Sequence, residues 1–510
     1  MKTESEKDSE REDSMKRLFN DGWEFSKQPL HTTLEEMQAE QDAFVPIGLP
    51  HDWLIYDADN LYEDGTGWYR RKLTWKKKEG EVVFLRFDGI YMDSRIFVNG
   101  EFAFEWKYGY SAFEVDLTSY LKDGENEIWV SVDFQAPNSR WYSGAGIYRN
   151  VWLKVLPQTH LESDGIYFHA EPSEKDSKIW NVELEAEVTF PEAQKEAPAE
   201  VQVSFVLHSL LENRNVLKTV SEEWKVKEET EGKTWLYVLK AQAEEPHLWD
   251  VEDPFRYLLE TTLKSGGVVL QTEEQAVGFR TIAFLPDDGF HLNGRKVKFN
   301  GVCEHHDLGC LGSAFHPEAL RRQFRILKEM GVNAIRFSHN MAAEEAMEMA
   351  DEMGFLVDSE AFDMWESSKT TYDYARFFPE WYKKDVASWV RRDRNHPCVV
   401  MWSIGNEIHD THAGEKGRGH PRPGPAAQLL CGPYRRNAPH RPKDRRRPHQ
   451  AAAHPGPPPH GPGPLRVLLD HRLPHVRDRR GVRPVGVLPQ SLLHAQGPTG
   501  GAAPGRAGRD

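Results

Sequence analysis

The run Asp393-Arg394-Asn395-His396-Pro397-Cys398-Val399-Val400-Met401-Trp402-Ser403-Ile404-Gly405-Asn406-Glu407 decides how this 510-residue chain is read. Its charged start closes a helix, Pro397 prevents that helix from continuing, and Val399 to Ile404 is an unbroken apolar strand. A strand apolar along its whole length is buried on both faces, which is the habit of a parallel sheet covered by helices. Asn406 and Glu407 then place a carboxylate where that strand leaves the core.

Working back from this strand, the same rhythm repeats. Val297-Lys298-Phe299 reads as a strand, and Pro317 opens a helix in which Leu320, Phe324, Leu327 and Met330 recur at helical spacing before Gly331. Val332 to Phe337 is strand-like. Ala342, Ala346, Met349, Ala350 and Met353 form an apolar stripe that ends at Gly354. Phe355-Leu356-Val357 gives a third strand, and Tyr382, Val386, Trp389 and Val390 a third helical face. Successive βα units of this kind predict a (β/α) barrel.

Before Pro286 the period is that of strands. Between Trp68 and Leu156, Val82, Phe84 and Phe87 precede Asp88-Gly89. Ile96, Phe97 and Val98 precede the hairpin turn Asn99-Gly100, Phe102 and Phe104 follow it, and Ile128, Val130 and Val132 alternate later. This predicts an all-β sandwich. A second series, Val182 to Val188, Val201 to Leu207 and Trp235 to Leu239, has no intervening helix and predicts an immunoglobulin-like sandwich reaching about Arg280. Pro191 to Pro198 falls in one of its loops.

The formal net charge of −16 and the pI near 5.8 argue against nucleic acid as a partner, because a phosphate-tracking surface carries the opposite sign. A mean hydropathy of −0.66 and the lack of a long apolar run argue against a membrane span. The opening MKTESEKDSEREDS has no apolar stretch of the secretory kind, so a cytoplasmic location is expected, with Met15 as an alternative start. Cys303, Cys310, Cys398 and Cys431 have no paired or zinc-like spacing and read as buried thiols.

In a barrel, functional groups gather at the carboxyl ends of the strands. Those ends carry Cys303-Glu304-His305-His306-Asp307, then Arg336-Phe337-Ser338-His339-Asn340, then Asp358-Ser359-Glu360-Ala361-Phe362-Asp363-Met364-Trp365, then Asn406-Glu407. A carboxyl among apolar and aromatic groups is held protonated near neutral pH, as a general acid must be. Glu407 is the candidate for that role, and Asn406 beside it for binding a sugar hydroxyl. His305, His306, Asp307, His339, Glu360 and Asp363 are of types that bind a divalent metal. Their spread over three strands is not diagnostic of one, and donors to sugar hydroxyls are the preferred reading. No cofactor is assigned.

At this point the residues resemble a family. Asp393 through Glu407 is similar to the acid/base signature of glycoside hydrolase family 2, and Ile335-Arg336-Phe337-Ser338-His339-Asn340 with Asp351 to Val357 is similar to its second barrel signature. Pro50-His51-Asp52-Trp53, Gly67-Trp68-Tyr69-Arg70 and Arg140 through Arg149 resemble its amino-terminal sugar-binding jelly roll. Gly301-Val302-Cys303, His305 to Gly309 and Ala361 to Trp365 resemble the β-galactosidases within it. The resemblance covers residues 16 to 417. It implies a retaining exo-glycosidase of β-galactosidase type that uses Glu407 as general acid/base and acts on a terminal β-linked galactoside. It further implies a sugar pocket holding Asn406, His305, His306, Asp307, Arg336, His339, Asn340, Glu360, Asp363 and Trp365. Arg140 and Trp141 would approach it from the jelly roll. Full-length relatives are expected to be homo-oligomers, and β-glucuronidase and a catalytically dead carbohydrate-binding protein are the alternative readings.

The expected architecture is therefore multidomain β plus α/β. A disordered tail at 1–15 precedes a jelly-roll sugar-binding domain at 16–158 and an immunoglobulin-like β-sandwich at 159–281. The amino-terminal half of a (β/α)8 TIM barrel follows at 282–417, and a disordered tail at 418–510. That last segment is rich in Pro, Arg, His and Gly and contains no Glu, Ile, Met, Phe or Trp, so it is read as translation in a shifted frame rather than as a basic functional tail. The family's nucleophilic glutamate belongs to a later strand, and Asp444, Asp470, Asp478 and Asp510 are the carboxylates left after Lys416. The expectation is a truncated chain without appreciable retaining activity. Two smaller departures are Met341, where the family has proline, and Ser359, where relatives carry aspartate, which leaves one acidic partner of the site open.

Overall fold

The computed structural model describes residues 15–39, 44–194, 198, 200–209, 217–226 and 233–409, with the backbone alone for 217–226. The tails expected at 1–15 and 418–510 fall, apart from Met15, outside the described residues, as does Cys431. Among the described residues no helix is long and apolar enough to cross a membrane.

The first unit is a sandwich of two antiparallel sheets. Six strands lie in the order Val45–Ile47, Trp23–Gln28, Gly65–Trp75, Gly124–Phe134, Ser94–Val98 and Glu101–Trp106. Four face them in the order Lys16–Leu18, Val151–Pro157, Glu81–Phe87 and Phe113–Asp116. Alternation turns Val83, Leu85 and Phe87 inward, so Val82 and Phe84 point the other way. The second unit pairs a four-stranded sheet (His160–Pro172, Ile179–Thr189, Thr234–Glu244, Leu217–Val226) with a three-stranded one (Val201–Ser209, Tyr257–Ser265, Val268–Val277). Its apolar core is separate from the rest of the molecule.

The third unit holds four parallel strands in sequence order, β1 (Gly301–Glu304), β2 (Ala334–Phe337), β3 (Leu356–Glu360) and β4 (Val399–Ser403). Between them run α1 (Pro317–Glu329), α2 (Glu344–Met353) and α3 (Phe378–Asp393). Proline stands in the first turn of α1, and Gly354 ends α2 in the left-handed conformation at φ 71°. Four strands with three helices on one side are half of an eight-stranded barrel.

Two expectations here need correction. Val297-Lys298-Phe299 is not a strand; Arg295–Lys296 instead closes a small antiparallel sheet with Ile282–Leu285 and Gly289–Leu292, and the Val297 amide turns back to donate to the Phe290 carbonyl at 3.0 Å. The barrel's first strand therefore begins four residues later, and Cys303 and Glu304 lie within it. Met330 does not join the apolar stripe of α1 but caps it, 70% exposed. The thiols also divide: Cys398 is buried, whereas Cys303 and Cys310 are exposed.

The jelly roll and the barrel share one continuous apolar core. Trp106 meets Trp381 at 5.4 Å, and Tyr108 packs on Phe362 at 5.1 Å while its hydroxyl donates to the Ala361 carbonyl at 2.5 Å. Buried Asp52 accepts from the Leu54 and Ala145 amides, the Tyr142 hydroxyl, and both the amide and hydroxyl of Ser313. Arg86, 5% exposed, ties all three units through Asp88, Asp164 of the second sandwich and Glu344 of α2. These contacts hold the loop carrying Arg140 over the ends of the barrel strands.

Candidate active site

Strand alternation sorts the candidate residues before any contact is measured. On β2 and β3, Arg336 and Glu360 face the barrel axis, and Ser403 of β4 reaches the same place. Arg336 Nη2 donates to Glu360 at 2.8 and 2.9 Å, His339 Nδ1 lies 2.6 Å from Glu360 Oε1, and the Ser403 hydroxyl donates to Oε2 at 2.6 Å. Glu360 is wholly buried. Burial pushes its carboxyl up, but the His339 hydrogen bond and the charge of Arg336 outweigh that and hold it below the usual carboxylate range. Ser359 faces the opposite way, where its hydroxyl accepts the Trp389 indole N–H of α3 at 2.9 Å. The acidic partner left open at that position is thus not a group of this pocket.

A second cluster closes over the first. Asp363 accepts from Arg140 through Nε at 3.0 Å and Nη2 at 2.6 Å, from Lys369 at 3.0 Å and from Asn406 Nδ2 at 2.9 Å. Burial raises this carboxyl, and hydrogen bonds from Arg140, Asn406 and Lys369 bring it below its ordinary value. Asn406 is held from three sides, since its Oδ1 also accepts from Arg336 at 3.0 Å and its carbonyl from Lys369 at 2.8 Å. Arg140 Nη1 then reaches Glu407 at 3.1 Å. Glu407 itself sits at φ 43° with its side chain 46% exposed. A guanidinium stands against it where only apolar and aromatic neighbours were expected, because the jelly-roll loop supplies Arg140 at this strand end.

Aromatic rings form the wall next to these charges. Trp141 packs against His305 at 5.0 Å and His339 at 5.5 Å, and the cavity beside them is lined by Tyr91, Tyr108, Tyr110, Trp141, His339 and Asp363. Burial, with His339 adding to it, lowers the His305 imidazole. Asp307 is half-buried near Tyr142, whose phenol is raised by burial and Asp52, with Asp307 contributing.

Three predicted binding residues stand elsewhere. His306 packs on Tyr110 and Tyr148, its Nε2 lies 2.9 Å from the Ser143 carbonyl, and burial lowers its imidazole to about 4, so it joins jelly roll to barrel as a neutral ring. Asn340 is buried behind β2 and donates to the Ser338 carbonyl. Trp365 is buried with its indole N–H on the Ile404 carbonyl at 3.0 Å, bracing β4 from beneath. Arg140, Trp141, His305, Asp307, Arg336, His339, Glu360, Asp363, Asn406 and Glu407 do converge. Of the six side chains of metal-binding type, His306 turns to a carbonyl, His305 to the Trp141 ring, His339 to that ring and to Glu360, and Glu360 and Asp363 to cations. Among the described residues no three His, Cys, Asp or Glu side chains stand together as a metal site.

Lys369 was missed, although it is 3% exposed and touches both Asp363 and Asn406. It lies in a loop without periodicity, and its one local signal is Asp373, which caps the Lys369 and Thr370 amides. Glu304 was missed as an unusual group. It lines a second cavity with Leu320, Phe337 and Ala346 between sheet and helices, where burial and Asp307 push its carboxyl up to about 7.

Comparison with known proteins places these features. Three family models match, described as the TIM barrel domain of glycosyl hydrolases family 2 over residues 284–418, its sugar binding domain over 36–157, and glycosyl hydrolases family 2 over 159–280. The chain is 40% identical over 409 residues to the β-galactosidase BoGH2A of Bacteroides ovatus, across 76% of this chain and 46% of that protein. It is 29% identical to a β-glucuronidase of Bacteroides fragilis, across 71% of this chain and 53% of that protein. A crystal structure of a family 2 glycosyl hydrolase from Bacteroides cellulosilyticus superposes with a TM-score of 0.70 at 32% identity, covering 79% of this chain and 53% of that one. The chain thus spans about half the length of the curated relatives it matches.

Proposed function

The chain belongs to glycosyl hydrolases family 2, and from that premise we propose that its pocket takes a terminal β-linked galactosyl residue, with Glu407 standing where the retaining enzymes of this type need their general acid/base. The observation that carries this reading is the clamped Asn406 beside a Glu407 reached by Arg140. Asn406 spends one amide N–H on Asp363, and its second remains for a sugar hydroxyl. Glu407 is accessible enough to meet a glycosidic oxygen, to give it a proton as it leaves, and to take one from water in the second displacement. The Trp141 ring offers the flat apolar wall on which a pyranose face packs.

Galactoside is preferred to glucuronide because the cations of the pocket are already engaged. Arg140 and Lys369 serve Asp363, Arg140 also serves Glu407, and Arg336 serves Glu360. A uronate carboxylate would meet no uncommitted guanidinium or ammonium among these three.

Retention also requires a second carboxylate about 5 to 5.5 Å from the first, free to attack. Glu360 and Asp363 are saturated with donors, and the 510 residues hold no glutamate after Glu415. We therefore propose that this chain binds the sugar without turning it over. Purified chain incubated with a chromogenic β-galactoside should release the chromophore at the uncatalysed rate. Sustained release that disappears in Glu407→Gln would overturn the proposal.

A further inference from the structure

Glu304 is out of place for its layer. On β1, Gly301 and Cys303 are exposed, and Val302 and Glu304 turn the other way. Cys303 pairs in register with Arg336, which faces the barrel axis, so Glu304 points outward between sheet and helices. That layer is apolar around it, with Leu320 of α1, Phe337 of β2 and Ala346 of α2 lining the same cavity. Among the described residues no group donates a hydrogen bond to its carboxyl.

The titratable groups that face the cavity are committed elsewhere. From the jelly roll, the Tyr148 hydroxyl donates to the Gly109 carbonyl at 3.0 Å, and buried Arg149 serves the Tyr110 and Met341 carbonyls at 3.0 and 2.8 Å. From the β1 exit, His306 sets its Nε2 against the Ser143 carbonyl and is kept neutral by burial, which lowers His305 as well. β2, α1 and α2 bring no titratable group to the cavity, and Asp307, the remaining charge that acts on Glu304, has the same sign. A carboxylate without donors in an apolar layer is costly, so the proton stays on. Burial first, and Asp307 second, push the Glu304 carboxyl up to about 7 from 4.5.

The segment that Glu304 opens carries part of the pocket wall. His305 follows it and packs on Trp141 at 5.0 Å and on His339 at 5.8 Å. The Glu304 carbonyl accepts the Ser338 amide at 2.9 Å, and His339 is the next residue there. We propose that Glu304 is a positioning residue for the wall of Trp141, His305 and His339. As a neutral acid it keeps the β1 exit docked between sheet and helices, and on losing its proton it loosens the hold on both histidines. This rests on the reading of that wall as part of the galactosyl pocket.

Hydrogen exchange of the full chain followed by mass spectrometry, corrected for the intrinsic pH dependence of exchange, tests it. The docked state holds a proton that the loosened state releases, so its stability is complete below pH 4.5 and is lost as pH rises through 7. Protection over residues 301–312 and 336–341 is taken relative to residues 378–393 of α3, so that unfolding of the whole molecule cancels. In wild type this ratio should fall about tenfold from pH 6 to pH 8, the factor for a carboxyl titrating at about 7 when docked and at 4.5 when released. Glu304→Gln, which keeps the shape and cannot ionise, should hold the ratio constant. Saturating methyl β-galactoside should restore the wild-type ratio at pH 8. A constant ratio in wild type, or a fall that persists in Glu304→Gln, would overturn the proposal. A fall of the expected size that the galactoside does not reverse would overturn the pocket reading and leave the hold of Glu304 on the wall in place.

Discussion

Replacement of Asp363 by alanine is the sharpest test of how the site is held. Asp363 is 2% exposed and accepts four hydrogen bonds from three residues, and its partners differ in what they lose. Arg140 is 38% exposed and keeps Glu407, so water replaces most of its share, about 1 kcal/mol or less. Asn406 loses one acceptor, about 1 kcal/mol. Lys369 is 3% exposed and would retain only the Asn406 carbonyl, and an uncompensated buried charge costs about 3 to 5 kcal/mol. The local structure should be weakened by about 4 kcal/mol, most of it through Lys369. Hydrogen exchange followed by mass spectrometry on peptides spanning residues 361–375 and 399–409 reads this directly, and the protection should fall by about a thousandfold. Adding Lys369→Met removes the stranded charge and should restore about half of the loss. Protection within tenfold of wild type in Asp363→Ala, or no recovery in the double variant, would refute the account of Lys369 as the buried counter-charge of the site.

Other expectations concern the join between jelly roll and barrel. Asp385 of α3 is buried with only neutral donors, Trp106, Ser111 and Tyr374, and burial pushes its carboxyl up to about 7 from 3.8. The folded state therefore holds a proton that the unfolded state has released between those values. Stability from this group is complete below pH 3.8 and is lost as pH rises through 7, on the order of 4 kcal/mol. Asp385→Asn should flatten the fall in urea midpoint between pH 5 and pH 8, and an unchanged slope would count against it. Gly144, at φ 68°, leaves no room for a side chain, since a Cβ would lie 1.9 Å from the Ser313 hydroxyl and 2.6 Å from Asp52. Gly144→Ala should cost about 3 kcal/mol or more and lower the thermal midpoint by several degrees. A wild-type midpoint would show that this joint is looser than described.

The strands that exit into the site were legible because apolar runs bounded by proline and glycine leave little choice of structure. Val399 to Ser403 follows from pattern alone, and Phe355 to Val357 marks the third strand, which runs on through Asp358 and Ser359 to Glu360; with them come the approximate positions of Glu360, Asn406 and Glu407. Pattern failed where one apolar period can serve two structures: Val297 and Phe299 flank a lysine as in a strand, yet cover Phe290 at a turn. It also failed where the partner is distant in sequence. Arg140 finds Asp363 across 223 positions, and His306 finds Ser143 across 163, so neither the cationic neighbour of Glu407 nor the burial of His306 was visible from local residues. Lys369 lies in a loop that owes its path to an aspartate cap, and loops of that kind carry no period to read.

The central claim is that the Asn406–Glu407 strand end, with Arg140 and Trp141 over it, holds a neutral galactosyl residue. Competitive binding of a methyl β-galactoside and a methyl β-glucuronide to the purified chain, and to its Asn406→Ala and Trp141→Ala variants, tests it most directly. The account predicts that the galactoside binds to wild type, that each variant weakens it about tenfold or more, and that the glucuronide competes poorly at every ionic strength. Equal binding of the two glycosides, or galactoside binding indifferent to both substitutions, would contradict it.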